Sequence, residues 1–245
     1  MCCFSKEAHV SATSIFARPS KAGQYIVYSM KLKAAEDLAM ILPIPTPKAS
    51  KEDAVTFINL EKYPTFFVKM DSGFPVPPPS RGAKSKEDAP PKKDVPKLKV
   101  VEVGSFVASF VPTVKDFARV DEQFRLPEGV WDKLPQYKDF GFAVFKLKKG
   151  EQEVHPMAFE FPRADKSKLF LPTVHIHDGR VHANAFFDHA LYCQGADTGM
   201  RWEETPQPAE MFMSLKEGKD IVDPKGHVYR SRMVGNFKNA DVWVG

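Results

Sequence analysis

The sequence predicts a β-rich fold, an antiparallel sandwich or a mixed α+β arrangement, with a few short helices and a long Pro/Lys-rich loop. Three observations predict it. Twenty Phe, six Tyr and three Trp in 245 residues favour pleated surfaces, on which flat and β-branched side chains pack well. Twenty-one Pro oppose a helical bundle, because each removes a backbone donor and disrupts a helical turn. Short apolar runs also follow one another without the regular strand-helix-strand alternation that a doubly wound sheet requires. At 43% hydrophobic residues, the chain is long enough to bury one large core or two small ones.

The elements follow in order. Residues 25–32 alternate, with Ile26, Tyr28, Met30 and Leu32 on one side and Tyr25, Val27, Ser29 and Lys31 on the other, which is the two-residue period of a strand. Residues 39–44 form a second apolar run, stopped by Pro43 and Pro45. Ser50 reads as the N-cap of a helix through Leu60, with Asp53 near its positive end and Val55, Ile58 and Phe57 inward. Residues 99–111 are rich in β-branched and aromatic side chains and predict a buried strand or a hairpin broken near Gly104. Residues 116–124 and 128–134 predict short helices, and 140–147 and 157–161 further strands. Near the C-terminus, 207–214, 227–232 and 241–244 read as short strands. No internal repeat is visible.

Between these parts, residues 74–99 hold seven of the prolines, a composition that buries too little to order itself. We read about 75–98 as a solvated loop inside a single β-rich domain spanning 1–245, since the first 75 residues alone would make a marginal core. The formal charge of +4 lies in the same stretch. Residues 80–99 carry seven basic and three acidic side chains, and the rest of the chain is neutral. No folded basic face with interleaved aromatics results, which argues against nucleic-acid binding. The first residues have no apolar signal core, and nowhere do 18 consecutive apolar residues occur, so neither a cleavable signal nor a membrane span is expected. Three cysteines, two of them adjacent, do not make a secreted disulfide framework, and they predict reduced thiols in a cytoplasm.

The sharpest local signal is Asp178-Gly179, a pair suited to the two positive-φ positions of a type I′ turn. It predicts a tight hairpin over 173–184. With a two-residue loop, His175 faces His182 and His177 shares their side, directly paired Cβ atoms standing about 5 Å apart. A four-residue loop also unites the three histidines, whereas a three-residue loop turns His182 away, because a one-residue slip exchanges faces. Three imidazoles with ligand distances of about 2 Å fit zinc or copper. Cys2 and Cys3 add thiolates if the N-terminal segment crosses that face, and Cys193, in the run 186–193, is a further candidate. The alternation places His189 and Cys193 toward the core. The functional expectation is therefore a copper- or zinc-binding protein with a metal ion as its partner. A copper-dependent oxidoreductase or a zinc-dependent hydrolase is the enzyme version, and a non-catalytic β-domain for partner binding is the alternative. A Cys-His nucleophile pair has no surrounding signature. Walker, dinucleotide, Gly-x-Ser-x-Gly and His-Glu-x-x-His motifs are absent from the sequence. His9, His155 and His227 read as structural or solvated.

The segment Glu36-Asp37-Leu38-Ala39-Met40-Ile41-Leu42-Pro43-Ile44-Pro45, preceded by Cys2-Cys3 and followed by residues 57–67, resembles an uncharacterised bacterial family, domain of unknown function 2330. The likeness covers about the first 75 residues. It implies export, as for other members, and no particular activity.

Overall fold

The computed structural model describes residues 2–75, 101–104, 106–199 and 202–245. Strands dominate, as the aromatic and proline content predicts. The loop expected at 75–98 lies, Pro75 apart, outside the described residues. The strands are β1 (Cys2–Phe4), β2 (Ala8–Pro19), β3 (Gln24–Ala34), β4 (Leu38–Ile44), β5 (Thr56–Asn59), β6 (Val101–Val103), β7 (Phe106–Val111), β8 (Gly141–Leu147), β9 (Gly150–Phe161), β10 (Leu169–Leu171), β11 (His175–Ile176), β12 (Asn184–Cys193), β13 (Glu203–Glu204), β14 (Tyr229–Lys238) and β15 (Val242–Val244). One α-helix, α1 (Phe66–Ser72), precedes residue 75.

A seven-stranded sheet runs β13-β14-β12-β2-β3-β9-β5, a six-stranded sheet runs β11-β1-β4-β8-β7-β6, and β10 pairs with β15. Pairing is antiparallel except for β12 with β2 and β1 with β11. The two large sheets face each other across one core, to which β2, β3 and β9 give Ile15, Ile26, Tyr28 and Phe159 while β4 and β8 give Met40, Leu42 and Phe145. The second face of the six-stranded sheet is covered by residues 114–137, packed as Phe117, Val120, Phe124 and Leu126 on Ile41 and Val144. The second face of the seven-stranded sheet is covered by α1 and by 209–228, with Phe66, Met70 and Ile221 on Phe16, Val27 and Tyr192.

Strand β4 shows why its sequence is continuously apolar. All seven residues are buried, because Leu38, Met40, Leu42 and Ile44 enter the inter-sheet core while Ala39 and Ile41 meet the covering segment. A strand covered on both faces needs no polar alternation, and each large side chain it buries contributes roughly 1.5–3 kcal/mol. In β3 the predicted inward set Ile26, Tyr28, Met30 and Leu32 lies in the inter-sheet core, and Val27 points the other way. Strand β2 carries a bulge between Ser11 and Ser14. There Ala12 takes φ +50°, and its N–H donates to Asp188 Oδ2 at 2.9 Å.

The hairpin broken near Gly104 is present as β6 and β7, with Gly104 at φ +64°. Strands form at 140–147, 157–161, 227–232 and 241–244, with β9 and β14 longer than predicted. Three expectations change. Residues 50–60 are a turn followed by β5, because Ser50 Oγ donates to Pro47 O rather than capping a helix. Phe57 packs on Phe145 and Phe159 at ring separations of 5.6 and 6.1 Å, and β5 extends the sheet beside β9. Residues 114–137 are short 3₁₀ turns, cut short by Pro127 and Pro135, whose missing N–H groups interrupt a longer helix. The strand expected over 207–214 is a turn around Ala209–Met211, closed by the Met213 N–H on Ala209 O at 2.8 Å. No helix among the described residues is long and apolar enough to cross a membrane.

Candidate functional site

Strand β11 does not fold back on 181–183. It pairs parallel with β1, Cys2 beside His175 and Cys3 beside Ile176, so the predicted tight hairpin is replaced by an irregular loop. Gly179 has φ +72°, and Asp178 is not among the residues of positive φ, whereas a type I′ turn needs both positions positive. Asp178 instead closes a local turn, its Oδ1 accepting the Arg180 N–H at 3.0 Å and its Oδ2 lying 2.9 Å from His182 Nε2.

The loop is held from outside by the turn between β14 and β15. Asn239 Oδ1 accepts the His175 N–H at 2.7 Å, and Asn239 Nδ2 donates to the carbonyls of His175 and His182. Asp241 Oδ1 accepts the N–H groups of Thr173 and Val174, and Tyr137 donates to Asp241 Oδ2 at 2.5 Å. From the other side, the Ala8 N–H donates to His177 O at 3.1 Å. The N–H groups of Thr173, Val174 and His175 and the carbonyls of His175, His177 and His182 thus find side-chain or main-chain partners, as burial demands.

This path brings together His175, His177 and His189. The ring centroids of His175 and His177 lie 4.7 Å apart, and those of His175 and His189 also 4.7 Å. His175 Nε2 and His189 Nε2 are 3.1 Å apart. Phe187 stands 4.5 Å from His175, and Phe4 5.4 Å from His177. Burial depresses all three, His175 to about 2 and His177 and His189 to about 4, so the rings are neutral near pH 7. The 3.1 Å contact is then one hydrogen bond, in which one Nε2 donates and the other accepts. A second proton would set like charges together in an apolar enclosure.

His182 is excluded from the cluster. Its side chain is 55% exposed and pairs with Asp178. Cys3 is fully buried among Ile41, Val174 and Ile176. Cys193 is fully buried in the inter-sheet core, where burial pushes its thiol up to about 12, which leaves it a protonated, inert side chain. It lies four residues along β12 from His189, roughly 13 Å away at strand rise. Of Cys2 only the backbone pairing is described. The reading of His189 and Cys193 as core-facing agrees with their burial, yet His189 was not expected beside the two strand histidines. The alternation of 186–193 was the available signal, and the parallel pairing of β11 with β1 had none in the sequence. His155 stacks on Phe106 at 4.3 Å, and His227 Nδ1 lies 2.6 Å from Thr205 O.

No family model matches the chain, and no curated protein does. Solved structures do. The chain resembles baculovirus P35 at 15% identity and a TM-score of 0.51, over 100% of this chain and 99% of that one. Also similar are a mutated baculovirus P35 after caspase cleavage, at 15% identity, a TM-score of 0.46 and coverage of 97% and 98%, and the caspase-8/P35 complex, at 13%, 0.48 and 96% of each chain. At these identities the likeness shows a shared fold.

The expectation of a copper- or zinc-binding protein built on His175, His177, His182, Cys2, Cys3 and Cys193 is thereby overturned. Among the described residues, no group of three or more His, Cys, Asp or Glu side chains is arranged to hold a metal ion. The physical reasons are the lost hairpin, which sends His182 to solvent, and the burial of Cys3 and Cys193 in separate apolar clusters. The fold resembles that of baculovirus P35.

Proposed function

We propose that this chain is a peptidase-binding protein that inhibits a cysteine peptidase of the caspase class. The observation that carries the reading is the fold likeness to baculovirus P35, which extends from end to end of both chains. Caspases cut after aspartate, and the sequence of 76–100 supplies Asp88, before Ala89, and Asp94, before Val95. Its prolines and lysines make it the stretch whose composition is least able to enter a core, as a bond offered to a peptidase must be. A cytoplasmic setting, expected from the cysteine pattern, suits such a partner.

The test mixes the purified full-length chain with active caspase-8 and follows hydrolysis of a fluorogenic peptide ending in aspartate. Activity falls toward zero at roughly equimolar inhibitor, and mass spectrometry of the mixture finds any cut in this chain after an aspartate. Undiminished activity of caspase-8 and of other caspases at a large molar excess overturns the reading.

A further inference from the structure

Among the residues whose side chains are described, Arg230 is the only Arg, Lys, Asp or Glu that is buried, at 5% exposure. Taking a guanidinium out of water is costly, and a well-packed apolar side chain would fill the same space at lower cost. What the guanidinium adds is direction, since its planar fork fixes several partners at once. Those partners converge where the chain leaves α1. Nη1 lies 2.6 Å from Asp71 Oδ1, Nε lies 3.0 Å from Glu203 Oε2, and Nη2 also meets Glu203. The guanidinium carbon sits 4.1 Å over the ring of Phe74, a cation–π distance. Asp71 Oδ1 further accepts from Tyr192 Oη at 2.9 Å and from Arg232 Nη2 at 3.1 Å.

A second, independent constraint acts on the same point. Phe212 presses on Gly73 so closely that a Cβ there would lie 2.6 Å from its ring, so any larger residue must displace that ring. The N–H groups of Gly73 and Phe74 donate to the carbonyls of Met70 and Asp71. Phe74, 3% exposed, is thus clamped between strand and helix one residue before Pro75.

We infer that Arg230 is a positioning residue: by holding Asp71 and Phe74 it fixes the direction in which the chain leaves α1. The role rests on the peptidase-binding reading, in which a segment launched from a fixed root loses less freedom on binding than one launched from a frayed helix end.

Three forms of the full-length chain test it: wild type, Arg230→Met and Arg230→Lys, each confirmed folded by circular dichroism. Two measurements are made on each, amide hydrogen exchange and the association rate with caspase-8. Exchange at Gly73 and Phe74 quickens at least tenfold in Arg230→Met while Val27 and Tyr28 in β3 are unchanged, and association slows at least tenfold. Arg230→Lys, which keeps the charge without the fork, slows association at least threefold even where its thermal midpoint returns to that of wild type. Should Arg230→Met not fold, Phe74→Leu removes the ring under the guanidinium while staying apolar, and the same two changes are expected. Unaltered exchange at Gly73 and Phe74 overturns the anchor whether or not the chain inhibits anything. Quickened exchange with association within twofold of wild type overturns the positioning role alone. A wild-type chain that inhibits no caspase overturns the reading beneath it, and with it the role.

Discussion

Two polar clusters sit on opposite faces of β12 and solve burial in opposite ways. At His189 three imidazoles share an apolar enclosure by giving up their charge, with one hydrogen bond between His175 and His189 and two phenylalanine rings around them. At Tyr192, three residues along, a guanidinium keeps its charge because Asp71 and Glu203 meet it from two sides. Their carboxylates are 45% and 62% exposed, so water shares the cost of the pair. Neutralisation stabilises only in the pH range where the groups stay neutral, so the histidine cluster is conditional on pH.

The largest expected effect breaks that symmetry by acid. The folded-state values of about 2 for His175 and about 4 for His177 and His189 lie below the ordinary 6.5, so below pH 6.5 the unfolded chain binds protons that the folded chain refuses. Stability is full above that point and falls as pH drops from 6.5 toward 4, by up to roughly 1.4 kcal/mol per pH unit for each histidine. Urea midpoints at pH 7.5, 6.0 and 5.0 measure it, and a flat profile would mean the rings are not buried together. Next comes Asp71→Ala, which strips the shared acceptor from Arg230, Arg232 and Tyr192. It should cost about 2–4 kcal/mol in urea unfolding. His189→Gln keeps a polar partner for His175 but removes one depressed titration, costing about 1–2 kcal/mol at pH 7.5 and flattening the acid slope. The smallest effect is His182→Ala, within about 0.5 kcal/mol, because its pair with Asp178 is exposed. A larger loss would show that the loop, rather than the cluster behind it, depends on that contact.

What the sequence made legible follows from which interactions are local. The inward set of β3 and the β6–β7 hairpin at Gly104 depend on alternation and turn chemistry within a few residues, and both appear as read. Residues 50–60 failed because a Ser followed by a half-apolar decapeptide satisfies helix and strand patterns alike, and β9 decided between them. The helix that does form, Phe66–Ser72, is too short for its periodicity to show. The histidine hairpin failed for the same kind of reason. Asp178-Gly179 is a local signal, but a strand 170 residues earlier, β1, captured β11. The arginine cluster was invisible because Asp71, Tyr192, Glu203 and Arg230 have no shared motif, only a shared corner.

The strand order carries one more consequence. In the six-stranded sheet β1 and β4 lie between β11 and β8, and in the seven-stranded sheet β2 and β3 lie between β12 and β9, so strands from before residue 76 are interleaved with strands from after residue 100. A chain severed between those residues becomes two fragments laced through each other, and their separation requires unzipping β12 from β2, β3 from β9, β5 from β9, β4 from β8 and β1 from β11 together. The break frees two ends and releases nothing. The severed molecule is a heterodimer from birth, with almost the whole of its core still buried.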